Sequence, residues 1–201
     1  LVASGRVPLS TKQLMERGLE VCDPNFGAQY QGTAHEASVK AVRDAIWTNY
    51  VDTGDGVLCH PKGRIKVVTD AQFLRALTAE SKLQNGAVVV DDTLWASLTD
   101  APEFTRDQII KDRFNTVWLA LAREDKALLS EYRKAVAAEL KALHNYEGAN
   151  MNFWLAGDQN VTTGRLGWVD WSYGISYAYS NLGSRNGRLV GVAPEAQGLV
   201  A

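Results

Sequence analysis

Cysteine is scarce, with only Cys22 and Cys59 in 201 residues. Two thiols are too few for a disulfide scaffold, and two free, buried thiols suit the pattern better than one bridge. An excess of charge of either sign is also missing. Twenty-one Lys and Arg stand against 23 Asp and Glu, giving a net charge of -2 and a pI of about 5.9. No basic run stands out, which removes the electrostatic footprint of a nucleic-acid binder. No stretch approaches the ~18 consecutive apolar residues of a membrane-spanning helix. Neither a GxGxxG nor a Walker pattern occurs, so no nucleotide cofactor is implied. There is no internal repeat.

What remains is an ordinary globular balance, 46% apolar and 22% charged, enough to bury a real core. The longest feature is the run from Thr105 to Tyr146, which contains neither Gly nor Pro. Thr105 and Gln108 have the spacing of a capping box. Phe114, Trp118, Leu121, Leu128, Tyr132, Val136, Leu140 and Leu143 then recur along one helical face. The register holds across Arg123–Lys126, so the pattern predicts one long helix, with a break opening on Asp125 as the rival. Glu124, Glu131, Glu139 and Glu147, beside Lys126, Lys134 and Lys141, read as a salt-bridged solvent face. One helix of that length outreaches a small domain, so part of its stripe is expected to need a second surface.

Upstream, Ser10-Gln13 and Thr33-Glu36 have the same capping-box spacing and open two shorter helices. Val51 to Gly63 reads as a loop rich in Asp, Gly and Pro, with Asp52–Gly56 as a solvated turn that resembles only half of a calcium loop. Arg64–Thr69 and Ala87–Val90 are strand candidates separated by a helical pattern from Ala71 to Gln84. Together they read as a short strand-helix-strand unit, either a βαβ crossover or an antiparallel ribbon. Asp91-Asp92 leads a further turn of helix.

Beyond Gly148 the composition changes. Residues 148–201 hold nine of the 17 Gly, three of the six Trp and three of the seven Tyr. Short strands are expected at Val161–Thr163, Arg165–Val169, Gly174–Tyr179 and Arg188–Val192. Turns are expected at Gly157-Asp158, Gly164 and Asn186-Gly187. The fold class is therefore α+β and helix-rich. A helical α/β body at 1–147 is followed by a Gly- and aromatic-rich extension at 148–201, packed on the body or on a partner.

No residue set names a reaction. Cys59-His60 invites a thiol-hydrolase reading, but neighbours in sequence seldom face each other, so a second His such as His144 is required. Cys22, His35, Cys59 and His60 match no paired zinc-ligand spacing, and His35-Glu36 does not open an HExxH helix. Neither a metal nor a cofactor is expected. Asn160-Val-Thr162 is a glycosylation sequon with no secretion signal beside it. The best functional lead is the aromatic set Trp154, Trp168, Trp171, Tyr173, Tyr177 and Tyr179, whose alternation would line rings along a strand. Such rings anchor protein interfaces. The reading is a non-enzymatic structural or assembly subunit of a multiprotein complex, with other protein subunits as partners. Leu1 in place of an initiator Met fits a processed component, and an organellar (mitochondrial) complex or a virus particle would be its home. The alternatives are a glycan-binding or glycan-cleaving protein using Trp168, Asp170, Trp171 and Tyr173, and a small thiol hydrolase using Cys59 with His144.

Overall fold

The structure is a computed structural model that describes residues 7–47, 51–76, 80–84, 87–112, 115–145, 151–153, 160–170, 176–178, 188–189 and 191–192. Strand β1 (Val7–Pro8) leads into helix α1 (Thr11–Cys22). The Ser10 capping box forms as its spacing predicts: Gln13 N donates to Ser10 Oγ at 3.2 Å, and Ser10 N donates to Gln13 Oε1 at 2.9 Å. The box predicted at Thr33 does not form. Its hydroxyl donates to the Tyr30 carbonyl and accepts from His35 N, while the Glu36 carboxylate accepts from Gly32 N. Helix α2 (Glu36–Trp47) starts after this tight turn and buries only its last residues, Ile46 and Trp47.

The stretch read as a loop is instead a strand. Strand β2 (Val51–Cys59) runs through the middle of the sheet, and Thr53 and Asp55 are fully buried within it. Its pairing slips between Asp52 and Gly56, a bulge that accommodates Gly54. Glycine is required at Gly56, where an added Cβ would lie 2.5 Å from Leu74 Cδ1 and 2.9 Å from Ala71 Cβ. The local chemistry that resembles a turn serves close packing here. β3 (Arg64–Val68) follows as predicted, but α3 (Gln72–Arg75) is one turn long where the pattern predicts a helix to Gln84. Leu83–Gln84 forms β4, which pairs with β5 (Ala87–Val89). Asp91 caps α4 (Asp92–Ser97) by accepting from Leu94 N at 2.7 Å. β6 (Glu103–Thr105) ends at the Thr105 capping box, which forms as predicted.

The single long helix is corrected to three: α5 (Arg106–Lys111), α6 (Asn115–Leu121) and α7 (Lys126–His144). Asp125 starts α7 and accepts from Leu128 N at 2.9 Å. The break before it is a Schellman closure. Arg123 N donates to Ala120 O and Glu124 N to Leu119 O, with Arg123 at φ 55° and Glu124 at φ 61°. Glycine normally occupies such a position, so its absence hides the stop from the sequence. At ~1.5 Å per residue, α7 extends about 28 Å, well short of the length a single helix implied.

After α7 come β7 (Met151–Phe153), β8 (Thr163–Asp170), β9 (Ser176–Ala178), β10 (Arg188–Leu189) and β11 (Gly191–Val192). Gly164, expected at a turn, lies inside β8 opposite Leu58 and Val88, while the turns expected at 157–158 and 186–187 fall outside the described residues. The sheet runs β4-β5-β8-β2-β3-β6, antiparallel at every step, with β7, β9 and β10 attached beside it and β1 paired to β11. The proposed strand-helix-strand unit does not hold as a pair. β3 and β5 run antiparallel, which excludes a βαβ crossover, and β2 and β8 lie between them, which excludes a ribbon. The architecture is α+β.

Both faces of the sheet centre are covered. Val57, Ile65 and Val67 face a core built with Leu14, Met15, Trp118, Tyr132, Val136 and Leu140 of α1, α6 and α7. Leu58 and Val68 face the opposite way, onto Ala71, Leu74, Val90 and Trp95. The alternation of the two sets along β2 and β3 follows the two-residue period of a strand.

Candidate functional site

Two places in the fold gather chemistry, and neither is announced by a motif. The first is the end of the sheet where β2 begins. Asp52 stands opposite Trp168 of β8 on one side and Leu189 of β10 on the other. On the next strands, Tyr177 of β9 stands opposite both Asp170 and Asn152. Of the six aromatic residues singled out in the sequence, the strand register therefore places Trp168 and Tyr177 on the neighbouring strands β8 and β9. Trp154, Trp171, Tyr173 and Tyr179 lie outside the described residues. The supporting strands are pinned from below, since Trp118 Nε1, buried in α6, donates to the Met151 carbonyl of β7 at 3.1 Å.

Asp52, read in the sequence as part of a solvated turn, is half-buried, and its carboxylate makes no hydrogen bond among the described residues. Its burial raises the carboxyl pKa above the ordinary range. Asp55, three residues on, is fully buried and differently placed. Its Oδ2 accepts from Thr11 N at 2.7 Å and its Oδ1 from Asp70 N at 2.9 Å. That carboxylate satisfies an orphan amide at the N-terminus of α1 and holds the turn after β3, which is a structural use.

The second place is a cavity of about 450 Å³ between α6 and α7. Arg133, Lys126 and Lys134 line it together with a single acid, Asp112. The Asp112 carboxylate accepts from the Thr116 hydroxyl and from Thr116 N, and the hydroxyl bond above all holds its pKa below the ordinary carboxylate range. The Arg133 guanidinium donates through Nη2 to Asn115 Oδ1. Its Nε–H is buried with no acceptor among the described residues. Lys126, Ser130, Arg133 and Lys134 share one face of α7 by helical spacing, a hint legible in the sequence. Asn115 and Asp112 join them only because the chain folds back at Arg123.

The cysteines stand apart. Burial, then Glu139, pushes the Cys22 thiol up to about 12, and Cys22 Sγ donates to Glu139 at 3.6 Å. A thiol so protonated at neutral pH is a poor nucleophile. Cys59 closes β2 in register with Ile65 and Thr163. His60 follows it, with its ring 5.1 Å from that of Trp95 and its Nδ1 accepting from Lys62 N. The His144 side chain lies outside the described residues. Among the described residues no group of three or more His, Cys, Asp and Glu is placed to hold a metal ion, and no helix is long and apolar enough to cross a membrane. Trp95 is itself a closed aromatic site. Arg64 and Lys66 lie 5.3 and 5.1 Å from its ring, and Lys66 Nζ donates to the Trp95 and Leu98 carbonyls at the end of α4.

No family model matches the chain, and no curated protein matches it. A solved structure described as "Accommodation of massive sequence variation in Nanoarchaeota by the C-type lectin fold" is similar at 13% identity, over 92% of this chain and 83% of that one, with a TM-score of 0.46. A likeness at that TM-score assigns neither fold nor function to this chain.

Proposed function

We propose that this chain is a non-enzymatic structural or assembly subunit of a larger protein complex, meeting its neighbours at the sheet end that carries Trp168 and Tyr177. One observation supports the reading above others. At the Trp168 end β8 is paired on one side with β2 and on the other with β9, so Trp168 stands between two paired strands. An aromatic residue held on a rigid strand loses little freedom on association, and Trp and Tyr are the residues that anchor interfaces. Native mass spectrometry of the protein as isolated from its source tests the reading. A stoichiometric assembly is the expected result, and Trp168→Ala with Tyr177→Ala would release the chain as a folded monomer by circular dichroism. A monomer from the outset would end the proposal.

A second reading rests on Asp52. A half-buried carboxyl with no hydrogen bond among the described residues, opposite a tryptophan in the register, resembles the acceptor-plus-ring pairing that suits a sugar. In this glycan-binding reading Trp168 and Asp170 act with Trp171 and Tyr173. Titration with oligosaccharides, followed by Trp fluorescence, separates the two readings. Saturable quenching favours the sugar, and no response to any of them removes it.

A further inference from the structure

We infer that the cavity between α6 and α7 is a binding site for a small organic oxyanion, a carboxylate or phosphate monoester with an apolar body. The cavity volume, about 450 Å³, falls in the range of small-molecule sites, roughly 300–1,000 Å³. Three cations line it against one acid, Asp112, whose charge offsets part of that of Arg133 and leaves an excess of positive charge. Lys134 shares its charge with Glu131 at 2.7 Å on an exposed part of α7, where such a pair is weak. Lys126 makes no ion pair among the described residues. The lining therefore carries uncompensated positive charge.

Arg133 supplies the geometry. Asn115, itself part of the lining, accepts from the Arg133 Nη2. The buried Arg133 Nε–H lacks an acceptor among the described residues, an unfavourable state inside a protein. A small turn of the guanidinium toward the cavity would therefore gain a hydrogen bond at Nε. Arginine offers two parallel N–H groups, which suit the two oxygens of a carboxylate or phosphate. Leu119 and Leu129 complete the lining, and they favour a ligand whose charged head carries an apolar body over a bare inorganic ion.

Isothermal titration of the intact chain with phenyl phosphate, benzoate and the neutral analogue benzamide tests the assignment. One saturable site for phenyl phosphate or benzoate is expected, with benzamide at least about tenfold weaker. Whichever of the two acids binds more tightly identifies the head group. Arg133→Gln should weaken the better acid by about tenfold or more, the loss of a bidentate charge-assisted pair. Lys126→Gln, at an exposed position where misfolding is not at issue, should weaken it about threefold and flatten the dependence on salt. Equal binding of benzamide, no saturable binding of either acid, or unchanged affinity in both variants would each overturn the inference.

Discussion

The two aspartates of β2 lie three residues apart and do opposite things. Asp55 is fully buried and accepts two backbone amides. Asp55→Ala strands both donors, at about 1–3 kcal/mol each, so urea unfolding should show a loss of about 3 kcal/mol or more. Asp55→Asn keeps one acceptor oxygen and should lose roughly half of that. Asp52 has burial with no donor to its carboxylate among the described residues, and its carboxyl pKa is raised. Below the unfolded value, about 3.9 for Asp, both states are protonated and burial carries no charge penalty. As the pH rises through the raised folded value, the native state must hold a desolvated charge and stability falls. Asp52→Asn should therefore raise the melting temperature at pH 7 and leave it unchanged at pH 3. A variant less stable than the parent at pH 7 would mean that the charge has a partner.

Among the elements, what the sequence made legible is what is local. The capping boxes at Ser10 and Thr105 depend on residues three apart, and both form. The strands at Arg64 and Ala87 carry their own β-branched runs and form as well. The stop after α6 was not legible because Arg123 occupies the left-handed position that usually announces itself as glycine. β2 was not legible because its Asp and Gly residues carry turn propensity, and although its second half pairs with nearby β3, its first residues pair with strands more than a hundred residues away. At the candidate site, the sequence flagged Trp168 and Tyr177 but passed over Asp52, since only the register of β2 and β8 brings it to the tryptophan. The break before α7 can be tested by sign. Arg123→Gly relieves a positive φ and should stabilise the fold by about 0.5 kcal/mol. In an unbroken helix the same change would cost about 1 kcal/mol. Chemical denaturation of the two proteins side by side distinguishes these outcomes.

At the scale of the whole molecule, the segment after α7 supplies the strand that fills the sheet between β2 and β5. The aromatic end and the central strand are thus one piece of chain, so a change that loosens β8 should also disturb whatever Trp168 meets. The α6–α7 cavity sits in the helical layer and depends on the fold-back at Arg123. Substitutions at Arg133 or Lys126 leave the Trp118 bond to β7 in place, so binding at the two places is separable by mutation.

The position of β8 also bears on how the protein is made. A growing chain delivers β2 and β3 early and Thr163–Asp170 only about a hundred residues later. Until then β2 has one bare edge, an invitation to strand exchange between nascent chains. Closing the sheet means joining pieces of polypeptide that emerge far apart in time, which slows folding. Any product released before Asp170 would leave the ribosome with that edge still open, so the sheet is sealed only once β8 has emerged.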